Sequence, residues 1–381
     1  MRRVFLVFLS ILCLFSLLSP IVCANEKEEG EALPDVYQDL LNSLPPALLE
    51  RLPEGALSSK TEEVGGAVGE MSSFSYLLKT VLSLIGLRLG DCLGLLCSVV
   101  GILILSSICR TFCASFKKPE IARAFSFLMT LVITVTIFAT GFGTIETTVS
   151  YFHTLNTFTS ASIPLMGSLY VMGGNAAAAV ATSAGLSLFM TVLEDVVGKS
   201  IVPFCGICLA LALIGACEGG PRLSGLLATL KKKYTLMLSF FMMLLLAMLS
   251  SQTILGASQD TLAMRSAKFA AGSIIPIVGG SVGELLRSVS ASVGYMRTSV
   301  GICGVLLLLL LMLPTLVELL LARTTWQICS FFAELLGCDG EKRLLDEFAS
   351  INGYLIAAVA ICSSVLFLTF TLLTHCVTAL A

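Results

Sequence analysis

The chain has 381 residues, 56% hydrophobic and only 13% charged, with a mean hydropathy of +0.95. A soluble domain carries roughly 25% charged residues, so the composition specifies an all-α, polytopic integral membrane protein of about six to seven transmembrane helices. The formal net charge of −2 excludes nucleic acid, which needs a basic face, and leaves membrane lipid as the surrounding phase.

Residues 1–24 form a secretory signal peptide. Arg2 and Arg3 are its basic region and Val4–Leu18 its apolar one. Pro20 breaks the helix before Val22-Cys23-Ala24, which suits cleavage after Ala24. Residues 25–73 are an acidic extracytoplasmic leader, rich in Glu and Asp from Glu26 to Glu70 against Lys27, Arg51 and Lys60. Within it Tyr37, Leu40, Leu41 and Leu44, then Leu48, Leu49 and Leu52, give two short apolar faces around Pro45-Pro46. Either it docks an extracytoplasmic partner, or it is an acidic spacer whose small helices lie on the membrane or on the rest of the protein.

Residues 74–381 form the membrane domain. Six runs reach the roughly 20 residues needed to span, approximately 91–111, 122–143, 197–217, 234–256, 299–322 and 352–375. Two further elements, 162–193 and 264–297, are interrupted by Gly and Pro and are expected to be re-entrant or surface-lying. Broken backbone at membrane depth is tolerated only where protein or a wet cavity surrounds it. With an exported leader, Arg110, Lys117, Lys118 and Arg123 follow the first span into the cytoplasm, as the positive-inside rule asks. Lys231-Lys232-Lys233 is also cytoplasmic if 162–193 dips in and returns. Both interrupted elements then face outward, and Arg265, Lys268, Arg287 and Arg297 go with the second. A weak repeat pairs Ile163-Pro164-Leu165-Met166-Gly167 with Ile275-Pro276-Ile277-Val278-Gly279. Paired interrupted elements point to a transport path.

No residue pattern supports an enzyme, a cofactor or a metal. Gly279-Gly280-Ser281-Val282-Gly283 matches G-x-S-x-G but lacks its strand–turn–helix setting. Gly198-Lys199-Ser200 lacks the first Gly of a phosphate loop, because Leu193 stands there. Cys205-Gly206-Ile207-Cys208 has no redox-fold context, and the cysteines act as small packing residues in apolar runs. Arg88 and Asp91 share a helical face and neutralise each other at the membrane boundary. Glu318 is the best intramembrane acid. It lines an ion or proton path, or it is a helix-end acid near headgroups, with Arg323 snorkelling.

The run Arg265-Ser266-Ala267-Lys268-Phe269-Ala270-Ala271-Gly272, followed by Ile274-Ile275-Pro276-Ile277-Val278-Gly279-Gly280, resembles the signature segment of the stage III sporulation protein AE family. The order of signal, acidic leader, Gly-interrupted middle and final apolar spans also resembles that family. The resemblance implies a membrane-embedded subunit of a channel or secretion-like complex between mother cell and forespore in endospore-forming bacteria. It implies the mother-cell membrane around the engulfed forespore as location. Its implied partners are other stage III A operon proteins, including a cytoplasmic ATPase and extracytoplasmic ring proteins, and a forespore-side Q partner. Candidate pore or partner-contact residues are Arg265, Lys268, Phe269, Gly272, Pro276, Gly279, Gly280 and Glu284 in the signature element. Pro164, Gly173 and Gly174 in its counterpart, and Glu318, complete the set. The competing readings are a secondary transporter for a small solute and a non-conducting scaffold.

Overall fold

The computed structural model describes residues 36–50, 52–58, 61–114, 119–194, 199–216, 224–274 and 279–375. The expected signal peptide, the first residues of the leader and Pro276 lie outside the described residues. Every regular element described is a helix. The leader holds α1 (Val36–Asn42), α2 (Pro46–Leu49), a 3₁₀ turn (Glu54–Leu57) and α3 (Thr61–Met71). The membrane domain holds α4 (Phe74–Ala114), α5 (Pro119–Met172), α6 (Ala176–Val192), α7 (Lys199–Ala216), α8 (Ser224–Ile274), α9 (Gly279–Leu335) and α10 (Asp339–His375). Among the described residues four stretches are long and apolar enough to cross a membrane: Ser75–Cys109, Gly225–Ser251, Ala291–Leu335 and Asp339–Thr374. Two shorter apolar helices, Ala176–Val192 and Lys199–Ile214, accompany them. The chain is a polytopic helical membrane protein.

Helix α9 is the axis of the bundle. From Val305 to Leu313 every side chain is buried, as expected of a helix that is apolar all round. Helix α10 lies antiparallel against it, with Trp326 packed on Phe348 at 5.3 Å between ring centroids. Further along, Gly304 faces the Phe370 ring and Gly301 faces Thr374. Small residues at these two positions let the backbones approach, and close packing drives helix association where lipid is as apolar as protein. Hydroxyls in the bundle bond their own helix one turn back, as Thr159 does to Leu155 and Ser363 to Val359. That arrangement satisfies them without water.

Side-chain contacts set the direction of each helix. Arg88 of α4 meets Glu318, and Ser107 meets the Leu336 carbonyl, so α4 runs parallel to α9. Tyr151 and Phe158 of α5 meet Ser363 and Phe370, so α5 runs parallel to α10. Lys231 and Tyr234 of α8 meet Glu347 and Tyr354, so α8 does too. Helix α6 folds back along α5, since Gly167 faces Ser183. Helix α7 runs the same way as α6, because Phe204 meets Tyr234 and Tyr354 while Cys208, one turn on, lies near the earlier Lys231 and Glu347. Helices α6 and α7 therefore form one broken pass, interrupted after the π-helical Leu193-Glu194.

Residues 162–193 form a helical hairpin, made by the end of α5 and by α6. Pro164 sits inside α5 without ending it. A Pro inside a helix costs about 3 kcal/mol, and the burial of Leu165, Met166 and Leu169 around it offsets that. The chain turns instead at Gly173-Gly174-Asn175. Gly174 has φ 77°, and the Asn175 N–H donates to the Tyr170 carbonyl at 2.8 Å while that of Gly174 donates to Val171 at 2.9 Å. These are the two bonds of a Schellman cap, which needs a left-handed residue. Gly337, with φ 70°, closes α9 in the same way.

The leader is part of this fold. Tyr37, Leu40, Leu41, Leu44, Leu48, Val64, Val68 and Met71 are all buried, each contributing about 1.5–3 kcal/mol. The Tyr37 hydroxyl donates to the Ala56 carbonyl at 2.9 Å and lies 3.4 Å from Cys303 Sγ on α9. Burial, and secondarily Cys303, hold that phenol above its ordinary pKa, so it stays a neutral donor. Of the two leader readings, packing on the rest of the protein describes residues 36–71. Its acidic side chains Asp39, Glu50, Glu63 and Glu70 remain exposed.

Candidate functional site

A groove of about 910 Å³ opens between α4, α5 and α9, with Pro45 and Leu48 of the leader at its rim. Helix α4 supplies Thr80, Leu84, Leu87 and Asp91, and α5 supplies Gly143, Thr147, Ser150 and Thr154. Both sets advance by three or four residues, which places each on one helical face. Helix α9 closes the back with Leu310, Leu311, Pro314, Thr315 and Glu318. Pro314 has no N–H to offer the Leu310 carbonyl, so both walls and floor carry polar groups.

Glu318 is the centre of the groove. Its Oε2 lies 2.9 Å from Arg88 Nη2, and its Oε1 accepts from Thr147 Oγ1 at 2.8 Å. Arg88 therefore bridges two helices, holding Glu318 of α9 close while keeping the expected pairing with Asp91 on its own helix at the longer distance of 3.8 Å. The reason is solvation. Glu318 is 21% exposed and gains from a partner, whereas Asp91 is 77% exposed and is screened by its surroundings. Glu146 also lines the groove, so one guanidinium faces three carboxylates. The excess charge is negative, which favours cations or basic segments and disfavours anions.

The other sequence candidates lie elsewhere. Arg265, Lys268, Phe269 and Gly272 fall in the last turns of α8, and Gly279, Gly280 and Glu284 in the first turns of α9. Glu284 precedes Glu318 by 34 positions on one helix, about 50 Å at 1.5 Å per residue. The signature element and the Glu318 groove are therefore separate places. Pro164 is exposed on α5. Gly173 and Gly174 form the α5–α6 turn and meet the end of the second interrupted element, since a Cβ on Gly173 would lie 2.8 Å from Arg297 Nη1. Sequence reasoning missed Glu146, Thr147, Ser150 and Thr154. Their signal was a polar face at helical spacing, lying between the apolar run 122–143 and the interrupted element 162–193, where no element was expected.

The family profile described as Stage III sporulation protein AE matches residues 63–377 of the chain. A curated relative, "Stage III sporulation protein AE" of Bacillus subtilis (strain 168), is 21% identical over 300 residues, covering 79% of this chain and 73% of the relative. No solved structure matches the chain. The matched region begins inside α3 and takes in every helix of the membrane domain.

Proposed function

This chain belongs to the stage III sporulation protein AE family, whose place is in sporulation, and on that premise we propose that it is the membrane-embedded subunit of a channel or secretion-like complex linking mother cell and forespore. Its location is the mother-cell membrane around the engulfed forespore. Its partners are the other products of the stage III A operon, with a cytoplasmic ATPase, extracytoplasmic ring proteins and a forespore-side Q partner. It performs no catalysis of its own. The observation that carries a conducting role over a scaffold is the groove around Glu318. A scaffold has no use for an ion pair and a polar face inside an apolar bundle, where each charge costs several kcal/mol unless it is paired or wet.

The broken α6–α7 pass favours a second reading, a secondary transporter, because discontinuous helices build solute sites. Helix α7, on the far side of that break, packs on α8 and α10, whereas the groove is walled by α4, α5 and α9, which favours the channel-subunit reading.

The deciding experiment replaces the resident family member of a spore former with this chain and with its Glu318→Gln and Glu318→Arg variants. Assembly is followed by co-purification with the operon partners, and forespore function by late forespore transcription. The expected result is normal assembly with transcription reduced tenfold or more by Glu318→Arg. Normal assembly with unchanged sporulation in both variants rejects the conducting role. Solute uptake by the isolated chain in vesicles establishes the transporter instead.

A further inference from the structure

Among the described residues, Arg297 is a buried cation with no hydrogen-bond partner for its guanidinium. Its residue is 1% exposed, and Nε, Nη1 and Nη2 all lack a hydrogen-bond partner. Lipid-packed bundles do not keep such a group without a reason, since an uncompensated buried charge is strongly destabilising. Its surroundings are shaped to hold it. The guanidinium carbon stands 4.9 Å from the centroid of the Tyr170 ring, an arrangement that attracts the cation through the ring face. Gly173 leaves room for Nη1, which a Cβ would approach to 2.8 Å. The ring engages the cation without supplying an acceptor, so all three guanidinium nitrogens keep their N–H donors uncommitted.

We propose that Arg297, seated between Tyr170 and the Gly173-Gly174 turn, is a binding site for a phosphate-class oxyanion. The fork of a guanidinium matches two phosphate oxygens at once, whereas the stacked ring contributes no hydrogen bond. The place suits a phospholipid headgroup. Arg297 stands six positions, about 9 Å, inside the first residue of the apolar stretch Ala291–Leu335, near that end of the span. The neighbouring turn exposes Val171 and Met172, apolar side chains that fit acyl chains beside an anionic head. The site lies apart from the Glu318 groove, whose negative excess would repel the same ligand.

The test uses the full chain in nanodiscs of phosphatidylcholine and follows unfolding by the fluorescence of the single tryptophan, Trp326. One arm substitutes phosphatidylglycerol for a third of the lipid. The other adds inorganic phosphate, with chloride at matched ionic strength as the control. Wild type is expected to melt several degrees higher in the lipid arm. A shift confined to the free-phosphate arm assigns the same site to a soluble anion. Arg297→Met removes the charge at similar volume and is expected to melt no lower than wild type in pure phosphatidylcholine, because the unpaired charge is gone, and to lose the shift. Arg297→Lys keeps the charge without the fork and is expected to retain less than half of it. The proposal is overturned if wild type shows no shift in either arm, which leaves the guanidinium to a protein carboxylate. It is equally overturned if Arg297→Met or Arg297→Lys shifts as fully as wild type.

Discussion

Gly174 shows how much one residue decides. Its φ of 77° belongs to the left-handed region, where a side chain costs about 1–2 kcal/mol. The two hydrogen bonds that close α5 depend on that angle. Gly174→Ala is therefore expected to lower stability by about 1 kcal/mol in detergent melting, and Gly174→Asn by less, since Asn tolerates this conformation. Equal melting of both variants and wild type would show that the turn is not held as described. Arg88 teaches a different lesson at the same scale. Its sequence neighbour Asp91 is available at one turn, yet it spans to Glu318 on another helix. A local charge pattern names the candidates for pairing, and burial chooses among them.

At the scale of elements, the leader behaves as a packed cap. Leu40 and Met71 are fully buried at 0% exposure, on opposite ends of the described leader. Truncating a buried Leu or Met to Ala costs about 2–5 kcal/mol. Leu40→Ala and Met71→Ala should therefore free the leader to protease at enzyme concentrations that leave wild type intact. The exposed change Glu50→Gln should alter nothing. Identical digestion of all four proteins would mean that the leader does not dock. The tail of α8, to Ile274, and the head of α9, from Gly279, carry the described signature residues and continue two long helices. Their family-typical residues are thus candidates for contact with other proteins, and the leader lies against α9 beyond them, through Tyr37 and Cys303.

For the whole molecule, helix directions make a topological statement. Lys231 contacts Glu347 and donates to Ser350 at 2.7 Å, and Lys342 lies 2.8 Å from Glu334. The lysine run of α8 and the α9–α10 turn thus share one end of the bundle, and the leader caps the other. Single-cysteine labelling in a Cys-depleted chain should place Lys232→Cys and Asp339→Cys on one side and Glu63→Cys on the opposite side. The positive-inside rule assigns the lysine end to the cytoplasm. Labelling of Lys232→Cys and Glu63→Cys from the same side would break this arrangement. The helices also exceed the membrane. Helix α5 has 54 residues and α9 has 57, about 80 Å each against a hydrocarbon core of about 30 Å.

The sequence by itself determined the solvent, the helical class and the family. Each rests on a property that accumulates along the chain: too few charges for water, apolar runs of spanning length, and a contiguous signature from Arg265 to Gly280. It also singled out Glu318, because an acid among Leu316, Val317 and Leu319 conflicts with its surroundings wherever the helix is placed. Only the tertiary structure decided that Arg88 is its partner, that Thr147 shares it, and that the helix continues past Pro164 while Gly174 turns the chain. It alone brought the glycines of one interrupted element against Arg297 of the other. These contacts join residues more than a hundred positions apart. Their identity depends on which faces of which helices pack together, and hydropathy, which is nearly uniform around these helices, carries no record of that choice.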